Sequence, residues 1–216
     1  VVVGSKYKSP SHRFTMLRLL ANGALDTTFA DQGILLLDSN GWVLEWNAVT
    51  IQGDGKIVAV GNKYFSGSGP STIYIHRFNV DGTPDAGFGT GGLLIPSFPT
   101  QNPIRDFGMS VEIDGQGRIV VGGQSFRACA SLYTGIDVAV MRYNANGTID
   151  STFGNNLDCS GNPIAHVQAW QFDVSQDYAL DMAIQPDGNI VIFGHTDHAS
   201  GGVNGDHDMM VMRFRQ

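Results

Sequence analysis

Three stretches of this chain superimpose on one another without gaps: Ala48 to Gly61 (AVTIQGDGKIVAVG), Ser110 to Gly123 (SVEIDGQGRIVVGG) and Asp181 to Gly194 (DMAIQPDGNIVIFG). Each reads as a strand, a tight two-residue turn and a second strand. Gly tolerates positive φ, so Asp54-Gly55 and Asp187-Gly188 are hairpin signals, and Gln116-Gly117 takes the same place in the middle copy. The opening Val1-Val2-Val3-Gly4 matches the end of this unit, aligning Gly4 with Gly61. Self-similarity of this kind restricts the fold to architectures that stack one supersecondary unit many times.

A second block recurs between the hairpins: Phe14 to Gly33, Ile73 to Gly92 and Val138 to Leu157, with the start of a fourth copy at Met209 to Gln216. Its arginines, Arg18, Arg77, Arg142 and Arg213, are 59, 65 and 71 residues apart, so length varies in the loops while the strands keep their pattern. One further apolar segment follows each block: Ile34 to Leu37, Leu93 to Phe98 and roughly Ala165 to Phe172. Four short antiparallel strands per repeat make the blade of a β-propeller. Runs such as VAVM and IVIF are apolar on both faces, as a sheet sandwiched between neighbours requires. The expected fold is all-β: a single repeat array over 1–216, with a half blade at 1–33 and blades near 34–92, 93–157 and 158–216. On this count the array is an incomplete propeller. Its exposed two-stranded edge near Val1 to Leu20 calls for a further polypeptide or an N-terminal segment carrying the missing strands.

Composition agrees. With 42% hydrophobic residues the chain can bury a core, and 28 Gly against 8 Pro mark turns between strands more than a linker. Lys plus Arg number 13 against 20 Asp plus Glu, and the net charge of -7 repels phosphate backbones, which argues against nucleic acid as partner. No apolar run approaches the about 20 residues of a membrane span.

The combination of I-Q-P-D-G-x-I-V-x-x-G, as at Ile184 to Gly194, with D-x-x-x-x-R-[YF]-N-x-[DN]-G-x-x-D-x-x-F-G, as at Asp137 to Gly154, resembles the delta-60 repeat of uncharacterised, mostly bacterial and often secreted proteins. The resemblance covers nearly the whole chain; the first copy departs from it with Leu19-Leu20 in place of the aromatic and Asn. It implies a propeller-like fold and an extracellular or periplasmic location, and it implies no agreed activity.

Residues repeated in every copy point to architecture. Asp26, Asp85 and Asp150 share one position, with Phe29, Phe88 and Phe153 three residues later. A side-chain-to-backbone turn anchored by the ring accounts for them, against equivalent ligand sites as the functional reading. Arg18, Arg77, Arg142 and Arg213 sit near the ends of apolar strands, where a lone cation needs an acceptor; the turn Asp of the same unit is the expected one.

Function is sought in residues that do not repeat. Gly194 to Asp208 reads as one loop that concentrates His195, Asp197, His198, Asp206, His207 and Asp208. Imidazoles with carboxylates suit Zn²⁺, and carboxylates with carbonyls suit Ca²⁺; a polar hairpin loop is the alternative. Trp42, Trp46 and Trp170, with Tyr64, Phe65, Phe126 and Tyr133 in loops after the Gly-ended strand, offer stacking surfaces for protein or carbohydrate, or fill the seams between blades. Cys129 and Cys159 are the only cysteines, and they pair in an oxidising compartment or stay as two thiols. Nucleophile-elbow, zincin and P-loop motifs are absent from the sequence. A non-catalytic extracellular binding or scaffold module is the leading expectation. The alternative is a lyase or hydrolase with its site on one propeller face, built on the His/Asp segment 195–208.

Overall fold

The computed structural model describes residues 1–8, 11–38, 42–64, 70–96, 105–129, 133–154, 156–157, 163–164, 167–170, 176–197 and 207–215. Blade 1 is β1 (Val2–Lys8), β2 (Ser11–Leu17) and β3 (Ile34–Asp38), and blade 2 is β4 (Val43–Ile51), β5 (Ile57–Tyr64), β6 (Ser71–Phe78) and β7 (Leu93–Leu94). Blade 3 starts with β8 (Asp106–Ile113), β9 (Ile119–Cys129) and β10 (Tyr133–Tyr143). After a ribbon of β11 (Asn156–Leu157) and β12 (Pro163–Ile164), it takes β13 (Val167–Trp170) as its outermost strand. Blade 4 is β14 (Gln176–Ile184), β15 (Ile190–Asp197) and β16 (His207–Phe214). Every pairing within these sheets is antiparallel. No helix among the described residues is long and apolar enough to cross a membrane. The fold is an all-β propeller array.

The expected strand grouping is corrected at its edges. Ile34–Asp38 pairs with β2, Arg13 opposite Asp38 through Leu17 opposite Ile34, so the aliphatic segment closes the sheet before it instead of opening the next. The sheets therefore span 2–38, 43–94, 106–170 and 176–214, and blade 1 has three strands, not two. The chain folds back after Phe29, where the Gly33 amide donates to the Phe29 carbonyl and the Arg18 amide to the Gly33 carbonyl, and this returns the segment to its own block.

The hairpin turn also differs. The Gln52 amide donates to the Lys56 carbonyl, the Gly55 amide donates to the Gln52 carbonyl, and Gly55 sits at φ 84°. That is a three-residue loop closed by a glycine bulge, not a two-residue turn. Asp54 Oδ1 accepts from the Lys56 amide and fixes it.

Gly61, Gly123 and Gly194 lie inside strands, which run on to Tyr64, Cys129 and Asp197. Opposite each one the innermost strand of the blade carries a β-bulge, between Trp46 and Ala48, Gly108 and Ser110, and Ala179 and Asp181. The bulged backbone comes so close that a Cβ on these glycines would lie 1.8, 2.1 and 1.8 Å from the carbonyl oxygens of Glu45, Phe107 and Tyr178. The glycine is required by close approach of a neighbouring chain, not by a turn.

Blades stack face to face. Val58, Val60, Ile73 and Ile75 of blade 2 form one core with Val111, Val121 and Met141 of blade 3, and Val120, Val138 and Val140 form another with Ile190, Ile192 and Met210 of blade 4. Between blades 1 and 2, Trp46 stacks on Phe14 at 4.6 Å with an interplanar angle of 12°, so this tryptophan fills the seam.

Candidate functional site

Blades 1 and 2 are each fastened to the next by a three-part clamp. Asp85 ends the turn after β6: its Oδ1 accepts from the Gly87 amide and its Oδ2 from Arg77 Nε at 2.8 Å. The guanidinium lies 4.5 Å above the Phe88 ring, a cation–π arrangement. Its Nη1 donates to the Ala145 carbonyl in the turn of blade 3. Phe88 in turn packs beneath Gly147 of that turn, φ 87°, where a Cβ would be 2.5 Å from the ring. Blade 1 repeats the geometry: Arg18 Nε to Asp26 Oδ2 at 2.8 Å, the cation 4.7 Å over Phe29, Nη1 to the Val80 carbonyl, and Gly82 seated on Phe29.

In blade 3, Arg142 Nε meets Asp150 Oδ2 at 2.7 Å and the cation lies 4.4 Å over Phe153, while Nη1 is buried without a partner among the described residues. Arg213 pairs instead with Asp187 of the adjacent hairpin at 2.5 Å. The Thr28 hydroxyl and amide hold the Asp26 carboxyl below its ordinary range, with Arg18 adding to them. For Asp85 the Lys56 ammonium at 2.9 Å is the first cause of a like depression, ahead of the Gly87 amide and Arg77. Burial pushes Asp150 up, yet Thr152 and Arg142 together carry it below its ordinary value.

The His/Asp segment is not one loop. His195 and Asp197 belong to β15 and His207 and Asp208 to β16, with Asp197 directly opposite His207 in the ladder. His195 Nε2 lies 3.8 Å from Asp197 Oδ1, and its ring stacks on Tyr178 at 4.8 Å. His198 and Asp206 lie outside the described residues, as do the side chain of His207 and any metal set that includes them. Among the described residues no three His, Cys, Asp or Glu side chains gather as metal ligands. Cys129 ends β9 and Cys159 lies outside the described residues, so their pairing does too. Tyr64 and Phe126 stand in β5 and β9, and Tyr133 opens β10, so these three aromatics are not in loops. Lys63 lies 4.5 Å over Trp42, while Phe65 and the side chain of Trp170 lie outside the described residues.

A cavity of about 510 Å³ opens on the axis, where Val1–Val3 meet the innermost strands β4, β8 and β14. The bulge residues Asn47, Met109 and Leu180 all line it. A bulge re-aims a side chain, and here three of them send one unlike residue per blade toward a common space. Glu112 and Asp181 stand on the same wall. Burial, followed by the Asp181 charge, pushes the Glu112 carboxyl above its ordinary value. Two carboxyls in a partly apolar recess favour a cationic group or a hydroxyl donor over an anion. Neither His195 nor Asp197 lines this cavity.

Sequence reasoning missed all five of these residues. The available signal was negative: Asn47, Met109 and Leu180 hold one aligned position, just before each hairpin, and share no chemistry.

Stacked antiparallel blades joined by a repeated clamp make this a β-propeller repeat protein. A family model described as a domain of unknown function (DUF5122), beta-propeller, matches residues 1–29, 52–88 and 117–153. Each match ends on a clamp phenylalanine, Phe29, Phe88 or Phe153. No curated protein matches the chain.

Proposed function

We propose that this chain is an extracellular binding module of the delta-60 repeat type whose axial cavity holds a basic side chain of a protein partner. The observation that carries the reading is the convergence of Asn47, Met109 and Leu180 with Glu112 and Asp181 on one axial space. The repeated Arg, Asp and Phe residues are engaged in joining blades, so the non-repeated residues are left to distinguish ligands. Carboxyls against Met and Leu match the aliphatic stem and charged head of Lys or Arg. The extracellular or periplasmic location, and bacterial origin, are supported by the delta-60 resemblance. A scaffold role, with a further polypeptide or a preceding segment completing the propeller, belongs to the same proposal.

The test is retention of a Lys/Arg-bearing peptide array by the wild-type chain and by the Glu112→Gln/Asp181→Asn variant at pH 7.5, beside a panel of neutral glycans. The expected outcome is selective retention of basic peptides, weakened at least tenfold by the double substitution and by high salt. Equal retention by both proteins, or preference for the glycans, overturns the reading.

A further inference from the structure

We propose that a cavity between the hairpins of blades 3 and 4 is a second subsite, which takes a carboxamide side chain two residues away from the basic one along the same extended peptide. The inference rests on the reading of the axial cavity as a site for Lys or Arg, and adds what is recognised next to it.

This second cavity, of about 480 Å³, is lined from blade 3 by Glu112, Ile113 and Gln116 and from blade 4 by Ile184, Pro186 and Asp187. Glu112 lines the axial cavity too, so the two spaces meet at one carboxyl. Its orientation follows from the ladder. Glu112 stands opposite Val120, which packs into the core shared with blade 4, and side chains paired across strands share a face. The carboxyl is thereby turned toward the groove between β8 and β14. Both strands are edges of their sheets, and among the described residues each pairs with one strand only. An extended peptide laid between them can draw main-chain hydrogen bonds from either edge. Its same-face residues recur every second position, about 7 Å apart. A basic residue held by Glu112 and Asp181 therefore brings the side chain two positions away to the hairpins.

The polar groups left over at the hairpins decide what fits. Gln116 Oε1 accepts from Arg118 Nη2 at 3.0 Å, while its Nε2 has no partner among the described residues. Asp187 is already engaged, by Arg213 at 2.5 Å and by Asn189 Nδ2 at 2.8 Å. The Glu112 carboxyl has no hydrogen-bond donor among the described residues, and its two oxygens let it serve both subsites. The wall thus offers one free donor and one free acceptor, with Ile113, Ile184 and Pro186 beside them. A carboxamide carries both complements, an oxygen for Gln116 Nε2 and an NH₂ for Glu112. A carboxylate would meet Glu112 and Asp187 with like charge, and an aliphatic side chain would leave both polar groups unpaired.

The probe is an array of short peptides with one central Arg, in which each neighbouring position carries Asn, Gln, Asp or Leu in turn, read by retention of the intact chain at pH 7.5. Asn or Gln two positions from the Arg, on one side of it, should raise affinity about tenfold over Leu or Asp, the worth of one or two hydrogen bonds, and the adjacent positions should show no such preference. Gln116→Glu keeps the acceptor for Arg118 and removes the free donor; Gln116→Met removes both. Each variant should melt within about 2 °C of wild type and still select Arg peptides, with the amide preference reduced to less than about twofold. No amide preference in the wild type, or an unchanged one in both Gln116 variants, overturns this proposal and leaves the basic-residue reading standing. Failure of the wild type to select Arg peptides at all overturns both.

Discussion

Replacing Arg77 by Met keeps much of the side-chain volume and removes every polar contact that this arginine makes in the clamp between blades 2 and 3. The side chains of Arg77 and Asp85 are 6% and 11% exposed. Removing one partner of a buried ion pair costs about 3–5 kcal/mol. Lys56 Nζ, 2.9 Å from Asp85, still neutralises the carboxylate, which brings this loss down to about 2 kcal/mol. The cation over Phe88 contributes about 1 kcal/mol more. The Ala145 carbonyl, losing its charged donor at the joint, adds about 1 kcal/mol. The expected destabilisation is therefore about 4 kcal/mol, or roughly 10 °C in melting temperature for a chain of this size. In Arg18→Met the same contacts are lost from side chains 19% and 17% exposed, where water substitutes, and a clearly smaller loss is expected. Urea unfolding of the two variants and the wild type, followed by circular dichroism, measures the contrast. Equal losses in both variants, or an Arg77→Met chain within about 1 kcal/mol of wild type, would refute the clamp as a burial-dependent joint.

His76 accepts a hydrogen bond at Nδ1 from Trp46 Nε1, stacks on Phe78, and is pushed down by burial to a pKa of about 4. The unfolded chain takes up this proton near pH 6.5, so stability is full above that pH and falls as pH drops toward 4. The loss is at most about 3 kcal/mol, and His76→Phe should flatten unfolding curves measured across that window. Gly147→Ala and Gly117→Ala both place Ala at positive φ, but only the first meets a neighbour, Phe88 at 2.5 Å. Strain alone should cost Gly117→Ala about 1 kcal/mol, and Gly147→Ala should cost at least about 2 kcal/mol more in the same assay. If the two melt together, packing between blades does not depend on that contact.

The hairpins and the Arg-to-Asp contacts were legible because both are local. A hairpin and an ion pair between residues eight apart need only their own block to form, and three copies repeat the ion pair, although the glycine bulge that closes the hairpin was not read. The partner of Ile34–Asp38 was not legible, since its aliphatic pattern suits the sheet on either side and the choice is made by the fold-back after Phe29. The role of Gly61 and its equivalents was misread as punctuation because the bulge that demands them lies in another strand and leaves no mark of its own. The axial cavity escaped for the same reason. Its side chains are defined by convergence across four blades, and none of Asn47, Met109, Leu180, Glu112 or Asp181 is conspicuous in isolation.

The clamp reaches only forward, from the arginine of one blade to the turn of the blade after it, and its parts are the same at the first joint and the second. Such a coupling is modular in the way a link of chain is modular. A duplicated or deleted repeat would find on each side the surface it left, with no compensating change elsewhere in the molecule. The number of blades is then free to drift by unequal recombination between copies, and selection on ring size would act through closure of the ends, not through the joints. Ligand preference would change in step, because each blade added or removed brings one axial side chain with it.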